Sequence, residues 1–335
     1  MDQVFIIAEA GVNHNGDIRI AEKMIDAAVA AGVDAVKFQT FTTAALACST
    51  APKAAYQKKQ SSDTQTQFEM LKALELDRKA HEHLISYCLN SRIKFLSSPF
   101  DVDSIFLLHD IGLNLYKIPS GEITNLPYLE AIGSLGKQVI MSTGMADLNE
   151  IQAAVDVLVK KGISSDQIAL LHCCSEYPTP PDHVNLRVIK AMEKRFPGFK
   201  IGYSDHTTGI QIAVAAVAAG AQIIEKHFTL DKNMEGPDHR ASIEPDQLCK
   251  MVESIRLVEQ ALGNGIKTAT KAERENRQVV RKSIVASIPI QSGEIFSIDN
   301  ITVKRPGNGL SPMKWYNVLG RKATKAYAPD EPIIG

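Results

Sequence analysis

The sequence predicts an α/β fold in which a (β/α)8 barrel is followed by a small C-terminal β-rich domain. Eight short apolar runs of strand length, rich in Val and Ile, occupy the first 230 residues, and segments with helical periodicity separate most of them. Strands that are apolar on both faces are typical of a parallel sheet covered by helices, and eight such units in about 250 residues match a closed TIM barrel. The count of eight argues against the alternative, a doubly wound open sheet.

The predicted strands follow one another along the chain as FIIAEAG (5–11), DAVKFQT (34–40), KFLSSPF (94–100), LYKIPSG (115–121), QVIMSTG (138–144), IALLHCC (168–174), KIGYSDH (200–206) and AQIIEKH (221–227). Helical periodicity is clearest at 20–31, 149–160 and 209–219, where apolar residues recur every three or four positions. Strand and helix therefore alternate along the first part of the chain.

The pattern changes near residue 263. We predict a barrel domain at 1–263, a polar linker at 264–279 that is partly helical, and a second domain at 280–335. Short β-like pieces and turn sequences fill the second domain, which includes a PGNG turn beside Lys304 and Arg305. A unit of about 55 residues is marginal in stability on its own, so we expect it to dock against another surface.

Composition excludes several classes of partner. The 335 residues are 44% apolar and 22% charged with a net charge of −1, which leaves no basic excess for nucleic acid or anionic membranes. No apolar run approaches the roughly 20 residues of a membrane span, and no leader-like segment precedes the first strand, so we expect a cytoplasmic protein. The five cysteines are odd in number and lack metal-type spacing, which argues against a disulfide framework.

One connection is longer than a barrel needs. More than twenty residues, 41–65, separate the second strand from its helix, whereas ordinary βα loops have about 2 to 6 residues. We predict a lid or substrate loop, with a disordered surface loop as the alternative.

Polar residues stand at the end of each predicted strand. In a barrel the carboxyl ends of the strands face one common mouth, so these residues are predicted to converge in space. They are Glu9, Lys37, Gln39, Ser98, Lys117, Ser120, Glu122, Ser142, Ser204, His206, Glu225 and His227.

These residue types indicate a metal-assisted enzyme for a small anionic substrate. His206 and His227 end adjacent strands and can share a divalent cation with open coordination positions; the alternative is that each is packed or exposed. Lys37 and Lys117, with the serines, can bind a phosphate or carboxylate; the alternative is that the lysines reach solvent. The glutamates can transfer protons or form structural ion pairs, and the sequence does not decide which one is catalytic.

Ten sequence motifs, in order, resemble those of the sialic acid synthase family, closest to bacterial N-acetylneuraminate synthases. They are AEAGVNHNG, VKFQTF, SSPFD, KIPSGE, STGM, LLHCCSEYPTP, GYSDHT, EKHFTLD, GPDHRAS and KRPGNG. The resemblance covers essentially the whole chain and identifies the C-terminal domain as similar to type III antifreeze protein, the SAF domain.

The resemblance implies an activity and a cofactor. Members of the family condense phosphoenolpyruvate with N-acetylmannosamine and water, and they release phosphate by C–O cleavage to give N-acetylneuraminate. A divalent metal, Mn²⁺ or Mg²⁺, bound by His206 and His227, is implied to polarise the sugar aldehyde.

The resemblance also implies roles for individual residues. The phosphoenolpyruvate set is Lys37, Ser98, Lys117, Ser120, Ser142, Ser175 and Ser204, in which Ser175 stands where some members carry Asn. The sugar set is Gln39, Tyr177, Asp238 and Arg305. Glu9 and Glu122 are candidates for handling protons and water, and Glu225 for orienting the aldehyde or a water. In relatives the arginine at position 305 reaches the N-acetyl group in the other subunit, which implies a homodimer in which one SAF domain caps the partner's barrel.

Four alternatives stay open. A legionaminic acid synthase would use 2,4-diacetamido-2,4,6-trideoxymannose, and a pseudaminic acid synthase, which SEYPTP and GPDHRAS disfavour, would use another 6-deoxy diacetamido sugar. A Schiff-base sialic acid lyase would use a lysine nucleophile and no metal. A non-catalytic sugar-binding protein would have no use for the glutamates, lysines and histidines around one mouth.

Overall fold

A computed structural model describes residues 3–48 and 66–334. The chain forms two compact units, Met1–Gly263 and Asn264–Gly335. Most of the long connection predicted as a lid lies outside the described residues, and its described beginning contains the short helix Thr43–Leu46. The prediction of a lid therefore stays a prediction.

Eight parallel strands build the first unit and confirm the predicted α/β barrel. Backbone hydrogen bonds connect the strands in the order β3-β2-β1-β8-β7-β6-β5-β4, and the end strands β3 and β4 contact each other, which closes the ring. The strands are β1 Phe5–Gly11, β2 Ala35–Thr40, β3 Lys94–Pro99, β4 Leu115–Ile118, β5 Gln138–Ser142, β6 Ile168–Cys173, β7 Lys200–Asp205 and β8 Ile223–His227.

Helices cover the outside of the barrel. The helices of the first unit are α1 Ile18–Ala31, α2 Thr43–Leu46, α3 Gln67–Lys72, α4 Arg78–Asn90, α5 Val102–Asp110, α6 Leu126–Ser134, α7 Leu148–Lys160, α8 Arg187–Arg195, α9 Gln211–Ala218 and α10 Pro245–Leu262. None of the helices in the described part of the chain combines the length and the apolar character that a membrane crossing requires.

Local chemistry explains where elements depart from their predicted ends. Helix α1 starts two residues before the predicted start because Asp17 caps it, accepting a hydrogen bond from Arg19 N. Strand β4 ends at Ile118 rather than 121, since Pro119 has no N–H for the ladder, and a 3-10 turn, Ser120–Glu122, follows. All five cysteines are free, as the sequence predicted.

Apolar residues pack on both faces of the barrel strands. A large core lies between strands and helices. A smaller one, here called the apolar plug, fills the interior with Ile7, Ala35, Leu96, Ile140, Ala169, Leu171 and Ile223. Gly202 leaves room for the plug, because a Cβ there would meet Leu171 Cδ2 at 2.5 Å and Ile223 O at 2.6 Å.

The second unit has its own core and little regular structure. Helix α11, Lys271–Val280, begins inside the predicted linker, and Thr270 and Glu273 cap it reciprocally. Strands β9 Ser283–Ala286 and β10 Ile301–Lys304 pair antiparallel, and a short helix, α12 Trp315–Val318, follows. The core consists of Ile284, Ala286, Ile290, Phe296, Ile301, Val318, Ala323, Tyr327 and Ile333.

Candidate active site at the carboxyl ends of the barrel strands

The barrel interior changes from apolar to polar along each strand. Alternate residues of a strand face the same side, so the residue two positions after one that faces the barrel interior points into the same interior, nearer the carboxyl end. The successive positions are Ile7 and Glu9, Ala35 and Lys37, Leu96 and Ser98, Leu115 and Lys117, Ile140 and Ser142, Gly202 and Ser204, and Ile223 and Glu225.

Four of these side chains form an ion-pair network, here called the charged cluster: Glu9, Lys37, Lys117 and Glu225. Lys37 Nζ lies 2.8 Å from Glu9 Oε2 and 3.7 Å from Glu225 Oε2. Lys117 Nζ lies 3.3 Å from Glu225 Oε1. The four residues are only 1–4% exposed, so they are tightly buried charges that compensate one another.

The two carboxylates of the charged cluster have different proton affinities. Burial raises the pKa of Glu9 to about 7; the attraction of Lys37 opposes this shift, and the Glu225 carboxylate adds to it. Burial would also raise the pKa of Glu225, but Lys117 and Lys37 together lower it to about 2. Glu225 is therefore the more acidic of the two carboxylates, whereas Glu9 holds its proton more tightly and is the better candidate for a general acid or base.

Serine hydroxyls surround the two lysines. Lys37 Nζ donates to Ser98 Oγ at 3.0 Å, and Lys117 Nζ donates to Ser142 Oγ at 2.7 Å. Ser204 Oγ donates to Glu225 Oε1 at 3.0 Å. The predicted anion pocket is thus a contiguous set of cations and hydroxyls.

Two more predicted serines meet at Gly144. Gly144 N donates to Ser120 Oγ at 3.0 Å, and a Cβ at Gly144 would meet Ser175 Oγ at 2.3 Å and Ser120 Oγ at 2.9 Å. A larger residue at position 144 would have to displace these hydroxyls. Sequence reasoning missed Gly144, although the STG sequence directly after β5 was the available signal.

The two histidines lie side by side. Their ring centroids are 5.4 Å apart, and the ring of Tyr177 lies 4.2 Å from that of His206. His206 Nδ1 donates to Cys174 O at 2.7 Å, which leaves Nε2 for a ligand when the ring is neutral. Burial would lower the pKa of His206, but the neighbouring Cys173 and the hydrogen bond to Cys174 O raise it. His227 Nδ1 is buried and has no hydrogen-bond partner among the described residues.

This arrangement fits a divalent cation that takes only part of its ligands from the protein. Burial lowers the pKa of His227 well below its usual value, and His206 and Lys37 lower it further, so the ring is neutral and able to bind a metal. Within the described part of the chain, His, Cys, Asp and Glu side chains form no group of three or more with metal-site geometry. Water or substrate oxygens would have to complete the coordination.

Two predicted sugar ligands lie beside Glu9. Gln39 Nε2 donates to Glu9 Oε1 at 3.3 Å. A Cβ at Gly11 would meet Glu9 Oε1 at 3.3 Å, Gln39 Nε2 at 3.4 Å and Asp238 Oδ2 at 3.7 Å, so the glycine keeps this space open. Burial raises the pKa of Asp238 to about 6, against the opposing effects of His206 and Lys37.

Two predicted site residues stand apart from these contacts. Glu122 lies on the turn after β4, where its Oε2 accepts from Asn125 Nδ2 at 2.5 Å. Arg305 is an exposed residue of the second unit, directly after β10. Among the described residues, no hydrogen bond or ion pair joins Glu122 to the charged cluster. The roles of Glu122 and Arg305 stay predictions.

Comparison with known proteins supplies the family. The sequence model described as the NeuB family matches residues 24–267, and a SAF domain model matches residues 281–334. The chain belongs to the NeuB family. Both the resemblance to sialic acid synthases and the presence of a SAF domain are thereby confirmed.

Relatives of this NeuB-family chain carry several synthase names. It is 52% identical to the N,N'-diacetyllegionaminic acid synthase of Campylobacter jejuni over 99% of both chains. It is 45% identical to the enzyme of that name from Legionella pneumophila, over 95% of this chain and 90% of the relative. A crystal structure of the N-acetylneuraminic acid synthetase from Leptospira borgpetersenii is 36% identical, with a TM-score of 0.72, over 82% of this chain and 90% of that one.

Proposed function

We propose that this chain is an N,N'-diacetyllegionaminic acid synthase, which joins phosphoenolpyruvate to 2,4-diacetamido-2,4,6-trideoxymannose and releases phosphate. The charged cluster beside two histidines is the observation that carries the reaction class. The choice of sugar follows the 52% identical relative rather than the 36% identical N-acetylneuraminic acid synthetase. The 52% identical relative thus supports the legionaminic acid synthase, which the sequence analysis gave as an alternative, better than the N-acetylneuraminate synthase that it gave first.

The charge balance of the mouth supports an anionic substrate. When Glu9 is protonated, the charged cluster contains two cations, Lys37 and Lys117, and one anion, Glu225. The excess positive charge is buried, where electrostatic interactions are strong. Phosphoenolpyruvate brings phosphate and carboxylate groups that match these lysines and the surrounding serine hydroxyls.

The reaction that these residues would support forms one carbon–carbon bond and breaks one C–O bond. Carbon 3 of phosphoenolpyruvate bonds to the aldehyde carbon, whose oxygen takes a proton. Water adds at carbon 2, and phosphate leaves with the oxygen that bridged it to that carbon. Glu9, with a pKa of about 7, can give or take a proton in these steps, while Glu225 stays ionised and orients both lysines. Glu122 remains a second candidate for proton transfer.

His206 and His227 would hold the divalent metal, Mn²⁺ or Mg²⁺. When bound, that ion supplies Lewis acidity that polarises the sugar aldehyde. The contribution of the chain is to present two adjacent imidazoles, one of which is oriented by the hydrogen bond between its Nδ1 and Cys174 O.

We assign sugar recognition to Gln39, Tyr177 and Asp238, together with Arg305 from the SAF domain of a partner subunit in a homodimer. Arg305→Ala is then expected to raise the KM of the sugar at least about tenfold and that of phosphoenolpyruvate less than twofold. The reason is that the lost contact binds the sugar equally well in the ground state and in the transition state. Steady-state kinetics with each substrate varied in turn measures both constants. Equal rises in the two constants would contradict the assignment.

The direct experiment follows phosphate release from phosphoenolpyruvate by chelator-stripped protein, with and without Mn²⁺. We expect metal-dependent release with 2,4-diacetamido-2,4,6-trideoxymannose and a lower kcat/KM with N-acetylmannosamine. Preference for N-acetylmannosamine would change the product to N-acetylneuraminate. Absence of release with either sugar would contradict the proposal, and borohydride trapping of pyruvate on a lysine would then indicate a lyase.

A further inference from the structure

A second polar cluster lies on the outer face of strands β7 and β8, behind the two histidines. Successive residues of a strand face opposite sides. Ser204 and Glu225 form an interior cross-strand pair, so the next pair in register, Asp205 and Lys226, faces outward. Lys226 Nζ lies 2.7 Å from Asp205 Oδ2, and both side chains are 0% exposed.

This ion pair also holds the backbone that leaves β7. Lys226 Nζ donates to Thr207 O at 2.5 Å, and Thr207 N donates to Asp205 Oδ1 at 2.9 Å. Both backbone polar groups of the residue after His206 are therefore bound by one pair of side chains. Tyr203 OH adds a hydrogen bond to Asp205 Oδ1 at 3.2 Å.

Stability alone is a weak reason for such a pair. Desolvation of two charges offsets most of their attraction, and replacing a buried ion pair by apolar residues is often neutral or stabilising. A geometric reason is available, because Asp205 directly precedes His206 and Lys226 directly precedes His227. The pair fixes the two histidine-bearing strand ends relative to each other.

We propose that Asp205 and Lys226 are positioning residues for the divalent metal, acting through His206 and His227. The pair sets the separation of the two rings, whose centroids are 5.4 Å apart, so that both can bind one cation. The inference rests on the proposed function in taking a metal to be part of the site. Residues that orient metal ligands from behind affect metal affinity by about 10- to 100-fold in other proteins.

The test measures the Kd of Mn²⁺ from the electron paramagnetic resonance signal of the free ion, and Tm by calorimetry. The main variant is the double substitution Asp205→Asn with Lys226→Met, which removes both charges and keeps an acceptor for Thr207 N. We expect a folded protein whose Mn²⁺ Kd rises about 10- to 100-fold. Tyr203→Phe, which loses a single hydroxyl, is expected to fold and to raise the Kd about threefold.

The control variant breaks an ion pair at the amino ends of the barrel strands. Arg256 Nη2 lies 3.1 Å from Asp34 Oδ2, and its Nη1 donates to Val4 O at 2.8 Å. Arg256→Met should lower Tm and leave the Mn²⁺ Kd within twofold of wild type. An equal loss of Mn²⁺ affinity in this variant would mean that general loosening, rather than positioning, is responsible.

The outcomes separate this inference from the proposed function. If wild-type protein binds Mn²⁺ and the folded double variant binds it with the same Kd, the positioning role is wrong and the synthase proposal still stands. If the double variant does not fold, an unchanged Mn²⁺ Kd in Tyr203→Phe overturns the positioning role instead. Wild-type protein that binds no Mn²⁺ overturns the metal assignment and this inference together.

Discussion

The apolar plug and the charged cluster share strands β1, β2 and β8, where their residues lie two positions apart, but they differ in what they do. Ile7 precedes Glu9 on β1, and Ile223 precedes Glu225 on β8. Both sets are buried, so exposure to water does not distinguish them. The difference is one of position: the plug lies deeper in the barrel, while the charged cluster lies at the carboxyl ends, where active sites of this fold are found.

Burial has opposite consequences for stability in the apolar plug and in the charged cluster. Burying the plug stabilises the fold by about 25 cal/mol per Å² of apolar surface. Burying the cluster costs desolvation energy that its ion pairs only partly return. Stability therefore does not explain four buried charges at this position, whereas a role in the reaction does.

The largest effect is expected at the cluster. Lys117→Met removes a cation from the anion pocket and the lysine that lies nearer to the Glu225 carboxylate. We expect phosphate release to fall by at least about 10³-fold, equivalent to about 4 kcal/mol of lost transition-state stabilisation. The matched control is Lys137→Met, since Lys137 Nζ binds Asn114 Oδ1 at 2.9 Å away from the mouth. Similar rates for both variants would contradict a role of the charged cluster in the reaction.

The plug should respond in stability rather than in rate. Ile140 is 3% exposed and two residues before Ser142, so Ile140→Ala is expected to cost about 2–5 kcal/mol of unfolding free energy. The rate per folded molecule should stay within about threefold of wild type. Denaturant unfolding and kinetics measure the two quantities, with Leu257→Ala at a 67% exposed position as the control. A large rate loss without loss of stability would contradict the account.

The smallest effect concerns pH. The pKa of Glu9 is raised from 4.5 to about 7 in the folded state, so its contribution to stability is present below pH 4.5 and lost as pH rises through 7. Relative to Glu9→Gln, the wild-type unfolding free energy should fall by about 2–3 kcal/mol between pH 5 and pH 8. Urea unfolding across this range measures the difference, and Glu253→Gln on the exposed side of α10 controls for loss of a carboxylate. Parallel curves for wild type and Glu9→Gln would contradict a raised pKa.

The sequence was sufficient for the barrel and for most of the polar mouth because both follow from strand periodicity. It predicted that His206 and His227 would be neighbours, since they end consecutive parallel strands. It did not predict Gly11 and Gly144, because the space that a glycine leaves depends on side chains from other strands. The Asp205–Lys226 pair was also missed, since a pattern of apolar runs does not reveal which residue faces outward.

The sugar could not be chosen from the barrel motifs, because synthases for different sugars share them. The 52% identical relative, rather than any contact in the site, favours the diacetamido sugar. Residues 49–65, most of the connection that was predicted as a lid or substrate loop, lie outside the described residues.

The most direct test of the central claim is to follow the oxygen that bridges carbon 2 and phosphorus in phosphoenolpyruvate. Turnover of substrate labelled with ¹⁸O at that atom, with 2,4-diacetamido-2,4,6-trideoxymannose and Mn²⁺, would be analysed by mass spectrometry of both products. The account predicts that the label leaves with phosphate, because water adds at carbon 2 and the C–O bond breaks. Label retained in the sugar acid, with unlabelled phosphate, would mean that the P–O bond breaks and would contradict the chemistry assigned to this mouth.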